Sequence, residues 1–244
     1  MKLLIAGATS AIAQETAKCF ARDGADLFLV ARSADRLTAI RDDLKVRGAG
    51  RIETFALDLT DFNRHQEMFD AALAAFGDLD ALLIAYGTLG DQQVSQASVV
   101  ETLQELNTNL ISAVSLLTIA ANYFEKRRSG CIAVISSVAG DRGRQSNYVY
   151  GTAKGGLNVF LQGLRSRMFK AGVAVVTIKP GFVDTPMTAG MKKNPLYASA
   201  ASVGEGIYRA MLKRRDVVYL PWFWLFIMLI VRNIPEPIFK RLKM

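Results

Sequence analysis

The chain has 244 residues, 51% of them hydrophobic, two cysteines and a net charge of +8. This is enough for one large domain with a substantial core. Cys19 and Cys131 fall in apolar helix and strand patterns, so they read as buried free thiols, which excludes a disulfide framework and suits a reducing compartment. The opening MKLLIAGATS is too short an apolar run for a signal peptide. Metal clusters are also absent. The single histidine, His65, stands between Arg64 and Gln66 and is expected to be a solvated surface residue.

Short apolar runs at 2–6, 26–31, 52–57, 81–86, 131–136, 174–179 and 217–220 read as strands. Helical patterns lie between them near 11–23, 34–47, 61–76, 97–127, 147–171 and 202–214. Such alternation predicts an α/β fold, a doubly wound parallel sheet of seven strands with helices on both faces. No repeat or Pro/Gly-rich linker divides the chain, so residues 1–221 are expected to form a single domain, followed by an extension over 222–244. Ser202 and Glu205 have capping-box spacing and are expected to open the last helix of the domain.

The stretch that carries chemistry is SSVAGDRGRQSNYVYGTAK, 136–154. Ser137 closes an apolar strand, and Tyr150 and Lys154 are four apart, so they share a helix face. Open α/β sheets keep their sites where strand ends meet helices. A phenol titrates near ~10, and a nearby ammonium favours its ionised form. Such a Tyr can pass a proton to or from a carbonyl oxygen while a Ser hydroxyl holds that oxygen still. Upstream, the first strand runs into Gly7-Ala8-Thr9-Ser10-Ala11-Ile12-Ala13, a strand-to-helix turn able to bring backbone N–H groups up to a pyrophosphate, or simply to connect the two elements.

These residues resemble the short-chain dehydrogenase/reductase family over residues 1 to about 220, with a Rossmann-type fold. The resemblance implies that Tyr150 is the catalytic acid/base, that Ser137 positions the substrate carbonyl, and that Lys154 lowers the Tyr150 pKa and holds the nicotinamide ribose. Asn109, in ELNTNLISAV, stands where the family anchors a proton-relay water; its plain alternative is a helix Asn bonded to nearby backbone. The family's T-G-x-x-x-G-x-G turn appears with Gly7 retained, Ala6 for the Thr, and Ala11 and Ala13 for the later glycines. Ala11 places a methyl where backbone normally approaches the phosphates. The resemblance assigns Gly7, Thr9, Ser10 and Ile12 to the cofactor. At the end of the second strand Ala31 stands where an acid would hold a ribose 2′-hydroxyl, and Arg32 with Ser33 follows. Arg32 therefore favours NADP(H) over NAD(H), unless it merely faces solvent. Asp58 and the Leu59 amide would take the adenine, or Asp58 caps a helix. The usual N-N-A-G is replaced near Ala85 and Tyr86. Pro180, Gly181, Val183 and Thr185 would wrap the nicotinamide, and residues 187–200 would form the substrate loop, with Met187, Met191, Leu196 and Tyr197 apolar and Lys192 and Lys193 able to meet an anion.

Of the net +8, +5 lies from Lys213 onward. There the basic residues Arg232, Lys240, Arg241 and Lys243 follow an apolar run at 222–231. This run is too short to span a bilayer, which needs about 20 residues. Basic and apolar residues together suit an anionic membrane surface better than nucleic acid, with Trp222 and Trp224 at the headgroup boundary. Packing on the domain or on a subunit partner is the alternative, and a chain ending at Pro221 is expected to stay folded if the membrane reading holds. The expected protein is a cytoplasmic, membrane-peripheral homo-oligomer that reduces a ketone with NADPH. More narrowly, it is similar to the keto-sugar reductases of decaprenylphosphoryl-ribose 2-epimerases, which implies a lipid-linked substrate, a 2-keto pentose on a polyprenyl phosphate. Another apolar keto-lipid or keto-acyl substrate, or a non-catalytic NADP-binding sensor, are the alternatives.

Overall fold

The computed structural model describes residues 1–242. Lys243, counted above among the basic residues, and Met244 lie outside the described residues. The elements in order are β1 (Lys2–Ala6), α1 (Ala11–Arg22), β2 (Asp26–Ala31), α2 (Ala34–Val46), β3 (Ile52–Ala56), α3 (His65–Phe76), β4 (Ala81–Ile84), α4 (Gln92–Ala97), α5 (Val99–Leu106), α6 (Ser112–Arg127), β5 (Gly130–Ile135), α7 (Tyr148–Phe169), β6 (Val173–Pro180), β7 (Val183–Asp184), β8 (Ala198–Ser199), α8 (Ala200–Leu212), β9 (Val217–Leu220), α9 (Trp224–Asn233) and α10 (Glu236–Phe239). Seven strands form one parallel sheet in the order β3-β2-β1-β4-β5-β6-β9, and β7 pairs with β8 apart from it.

Side-chain alternation on the strands builds two cores. On β1, Leu4 and Ala6 face α3, α6 and α7, whereas Leu3 and Ile5 face α1, α2 and α8. The strand order reverses between β1 and β4, which opens the crevice where such sheets hold ligands.

Several element ends shift by a few residues from the sequence reading, and two helices differ in kind. The helix expected over 97–127 is α5, a π-helical turn at Asn107–Ile111 and α6, with the separate short helix α4 ahead of it at Gln92–Ala97. Asp91 caps α4 and Ser98 caps α5, each accepting from backbone amides of the following turn. Helix α8 opens at Ala200 rather than Ser202, because the Ser199 hydroxyl accepts from Ser202 N (3.1 Å) and caps the helix three residues earlier.

The segment after Pro221 returns to the domain. Trp224, Met228 and Val231, at i, i+4 and i+7 on α9, pack with Phe239 over Val138. Each such burial contributes about 1.5–3 kcal/mol. Arg142 ties the end of α9 down: its Nη1 donates to the carbonyls of Val231 (2.7 Å) and Ile234 (2.6 Å), and its guanidinium stacks on Phe239 at 3.6 Å. Trp224 is thus buried, not at an interface with lipid, while Trp222, Leu225, Phe226, Leu229 and Ile230 are exposed on the outer face. Removing residues beyond Pro221 would strip the cover from Val138, so the two faces of α9 answer to different surroundings. No helix among the described residues is long and apolar enough to cross a membrane.

His65 is fully buried, contrary to the expected surface position. Its Nε2 lies 3.0 Å from the Leu59 carbonyl and its Nδ1 3.0 Å from the Ser115 hydroxyl. A carbonyl only accepts, so Nε2 carries the proton and Nδ1 accepts in the neutral ring. The Leu59 carbonyl also accepts from the Ser112 hydroxyl, and Ser112 in turn takes the Tyr86 O–H (2.7 Å). This chain of polar contacts ties the ends of β3 and β4 to α3 and α6, at the place where N-N-A-G is missing. Burial holds the His65 pKa below its usual 6.5. The unfolded chain therefore takes a proton first as pH falls, and stability present above 6.5 is lost as pH drops toward the folded pKa. Because His65 is the only histidine, thermal melts between pH 6.5 and about 5, above the carboxylate range, isolate it. The wild-type melting temperature should decline below pH 6.5, whereas His65→Ala should melt lower at all pH values, by about 1–3 kcal/mol, without that decline. Equal slopes in both proteins would refute the assignment.

Candidate functional site

β5 ends at Ile135, and Ser137 follows with its Oγ accepting from Ala139 N (3.1 Å) at the head of a tight turn, Val138–Asp141. Helix α7 lies directly on that turn. A Cβ on Gly140 would stand 2.5 Å from the Lys154 carbonyl carbon and 2.7 Å from Gly155 N, so only glycine permits the approach. The contact brings Tyr150 and Lys154, one helical turn apart, beside Ser137. One turn further along the same face, Asn158 Oδ1 accepts from Ser136 Oγ (2.6 Å) and pins helix to strand end. Ser137, Tyr150, Lys154 and Asn109 all line one cavity of about 160 Å3.

Burial dominates the electrostatics. The Tyr150 phenol is pushed up to about 12 by desolvation; the Ser137 hydroxyl beside it pulls it down and the Glu105 charge pushes it up. Lys154, 4% exposed, donates to the Ile135 carbonyl (3.2 Å) and lies 5.7 Å from the Tyr150 ring centre. Burial pushes its ammonium down to about 8, and Glu105 opposes that fall. The lowering influence on Tyr150 in this structure is the Ser137 hydroxyl. Asn109 sits in the π-helical turn. Its Oδ1 accepts from Thr88 N (3.1 Å) and its Nδ2 donates to Glu105 Oε1 (2.7 Å) and to the Glu105 carbonyl (3.2 Å).

The turn after β1 has the features of a phosphate cradle. Gly7 has φ +90° and lies so close to Tyr86 that a Cβ would be 2.7 Å from its backbone N. The first turn of α1 holds no acidic side chain, and the Ser10 hydroxyl does not cap it, so the helix N-terminus keeps N–H groups able to receive an anion. Ala11 begins the helix half-buried, and Ala13 is fully buried in the helix–sheet packing. Ser10 and Ile12 reach the cavity, as do Pro180, Gly181, Val183 and Thr185 from the β6 side. Thr9, Arg32, Asp58 and Leu59 lie outside that cavity. Arg32 is exposed and stands near enough to Asp58 to lower its pKa, though the Thr60 amide is the larger cause. The Asp58 carboxylate accepts from Thr60 N (3.0 Å) and Thr60 Oγ1 (2.8 Å), a local turn instead of a helix cap. Leu59 is buried. Arg36 joins Arg32 here, its Nη2 reaching the Thr9 carbonyl (3.4 Å). Two cationic side chains, Arg32 and Arg36, thus stand beside the turn after β1.

The other half of the cavity is walled by Val138, Phe182, Met187 and Met191, with Arg144 and Asn147 as its polar members. Of the expected loop residues, Met187 and Met191 reach the cavity, Tyr197 stacks on Phe182 at 5.2 Å, and Lys193 pairs with Asp184 (2.7 Å). Behind Phe182 the Trp224 indole packs edge-on at 5.3 Å and fills the space beside Gly181, so α9 backs the cavity wall. Arg144 donates to Met228 Sδ (3.2 Å), leaves its buried Nε without a partner and, among the described residues, has no carboxylate at salt-bridge distance, Asp141 acting on it only from further away. Burial lowers its pKa. Arg36, Glu105, Arg144 and Trp224 were not singled out in sequence as members of the site. Glu105 at i−4 from Asn109, and Trp224 at i−4 from Met228, were the available signals.

The short chain dehydrogenase pattern matches residues 2–196. An uncharacterized oxidoreductase of Mycobacterium tuberculosis is 33% identical over 240 residues, covering 98% of this chain and 96% of that protein. Among solved structures, levodione reductase superposes with a TM-score of 0.82 at 21% identity, over 89% of this chain and 95% of that one. An alcohol dehydrogenase from the archaeon Thermococcus sibiricus, complexed with 5-hydroxy-NADP, gives 0.80 at 23% identity, over 90% and 95%. The family's fold binds NAD(P), and this chain, with its seven-stranded parallel sheet and its match over most of its length, is an oxidoreductase of the short-chain dehydrogenase/reductase family.

Proposed function

We propose that this protein reduces a ketone to a secondary alcohol with NADPH, at a membrane surface, and that the ketone is a lipid-linked 2-keto sugar bearing a phosphate. The carrying observation is the convergence of Ser137, Tyr150, Lys154 and Asn109 on one cavity at the strand ends beside the phosphate cradle. When bound, NADPH supplies the hydride, and the balance is ketone plus NADPH plus one proton giving alcohol plus NADP+. Tyr150 gives the proton to the carbonyl oxygen, because its raised pKa keeps the phenol protonated at neutral pH. Ser137 donates a hydrogen bond to the same oxygen and orients it. Lys154 holds the cofactor ribose and offsets the negative charge left on Tyr150.

Arg32 and Arg36 supply cations where the adenosine ribose would lie, and Ala31 supplies no competing acid. An unpaired Arg144 in the substrate half of the cavity supports an anionic ketone, since a desolvated guanidinium is stabilised by a negative partner. The outer face of α9 supports the membrane surface: Trp222, Leu225, Phe226, Leu229 and Ile230 are exposed, with Arg232, Lys240 and Arg241 nearby in sequence.

Tyr150→Phe should lower turnover by about 10²–10⁴-fold while NADPH affinity stays within a few-fold, because it removes the transferable proton and little shape. NADPH oxidation and fluorescence titration measure the two quantities, and substantial residual turnover would sink the role given to Tyr150.

Arg32→Ala should weaken NADPH by about 10-fold, the scale of one charge-assisted contact, and NADH much less. Equal weakening of both, or a native preference for NADH, would overturn the cofactor assignment.

Changing Leu225, Phe226, Leu229 and Ile230 together to Gln should abolish flotation with anionic liposomes and leave the thermal melt unchanged, since these side chains face outward. Each basic residue near the surface adds about 1 kcal/mol, so wild-type flotation should weaken but persist in high salt. Equal flotation of wild type and variant would refute the membrane role of this face.

A further inference from the structure

Glu105 is a buried carboxylate, 7% exposed, in the last turn of α5, and the chemistry above leaves it without a role. Its Oε2 accepts from Thr88 Oγ1 (2.7 Å) and its Oε1 from Asn109 Nδ2 (2.7 Å). Among the described residues it has no ion-pair partner within salt-bridge distance, although the Lys154 ammonium feels its charge. Burying a carboxylate with two neutral donors is costly, and a Gln or Leu would tie this helix to the 87–91 loop at less cost. The position therefore calls for more than a strut.

Glu105 also stands between two cavities. Thr88 and Asn109 line the catalytic one, while Thr88 and Glu105 line a second, of about 250 Å3. The second cavity is bounded by the exposed residues Gly90, Asp91, Glu101 and Gln104, so it opens to solvent. On the catalytic side, Asn109 and Lys154 converge on Gly87: a Cβ there would stand 2.5 Å from Asn109 Oδ1 and 3.5 Å from Lys154 Nζ. Glu105 is thus hydrogen-bonded to Asn109 and Thr88, and Asn109 and Lys154 flank Gly87 on the catalytic side.

We propose that Glu105 is a positioning residue for the reaction: it holds Asn109 and Thr88 in place through its two carboxylate oxygens, and its negative charge balances the Lys154 ammonium. This rests on the ketone-reductase reading.

The sign of the pH effect follows from the charges facing Glu105, which are Lys154 and Tyr150 from α7 and, across the second cavity, Asp91 and Glu101. The Glu105 charge raises the pKa of both Lys154 and Tyr150. Ketone reduction needs both protonated, so neutralising Glu105 must move the alkaline fall of activity to lower pH.

The test uses full-length wild type, Glu105→Gln, Glu105→Asp and Glu105→Ala, with NADPH alone for binding and 2,3-butanedione as the ketone. In fluorescence titrations, the pH at which NADPH affinity falls should move down by about one unit in Glu105→Gln, the effect of losing one nearby opposite charge. Glu105→Asp should keep the wild-type midpoint. The alkaline limb of turnover should move the same way in Glu105→Gln, and formate should restore activity to Glu105→Ala. A uniform loss of rate with an unmoved midpoint, or a midpoint that rises, would overturn the proposal and leave Glu105 a strut. Wild type that binds NADPH but oxidises it with no ketone would instead strike the reductase reading, and the binding midpoint would still decide whether Glu105 sets the charge of Lys154.

Discussion

The contact between α7 and the turn after β5 is the constraint on which this site depends. Ser137 comes from a strand end, whereas Tyr150 and Lys154 come from a helix that must cross that strand end at backbone distance. Gly140 permits this approach, and the Ser136–Asn158 hydrogen bond fixes it. Once the two elements are locked, the phenol and ammonium are necessarily desolvated, and their pKa values move together toward neutral forms. The site thus stores charge-destabilising burial at the atoms that exchange protons, and the buried carboxylate of Glu105 partly restores the charge of Lys154.

Much of the sheet was legible because buried parallel strands are written as continuous apolar runs. The runs at 2–6, 26–31 and 217–220 coincide with β1, β2 and β9 to the residue. The spacing of Tyr150 and Lys154 and the strand end at Ser137 were legible for the same reason: both are local periodicities. Helix 97–127 was less so, because the π-helical turn at Asn109 leaves the apolar pattern intact while shifting its phase.

What the sequence concealed came from long-range partners. His65 looks solvated among Arg64 and Gln66, yet Ser115 and Leu59 supply it with a partner for each ring nitrogen. That contact compensates for the missing N-N-A-G by a different set of side chains, Tyr86, Ser112 and His65, joining the same two strand ends. Arg144 belongs with these: it lies between Ser137 and Tyr150 in sequence, and only the folded α9 shows that its surroundings are apolar and its guanidinium unpaired. The apolar run at 222–231 was read as a single surface, but a helix of this length has two faces, one spent on Val138 and Phe182 and the other left outward.

The packing of Trp224 against Gly181 also bears on how this protein can change over evolutionary time. A Cβ at position 181 would lie 1.9 Å from the indole, so the two positions act as one inherited character. A larger residue at 181 is admissible only with a smaller one at 224, and that exchange would loosen α9 and reshape the cavity wall in a single event. Substitutions at the two sites are accordingly strongly non-additive. A lineage altering the wall of the cavity must travel through both positions together, which makes this pair a marker for divergence in what the cavity accepts.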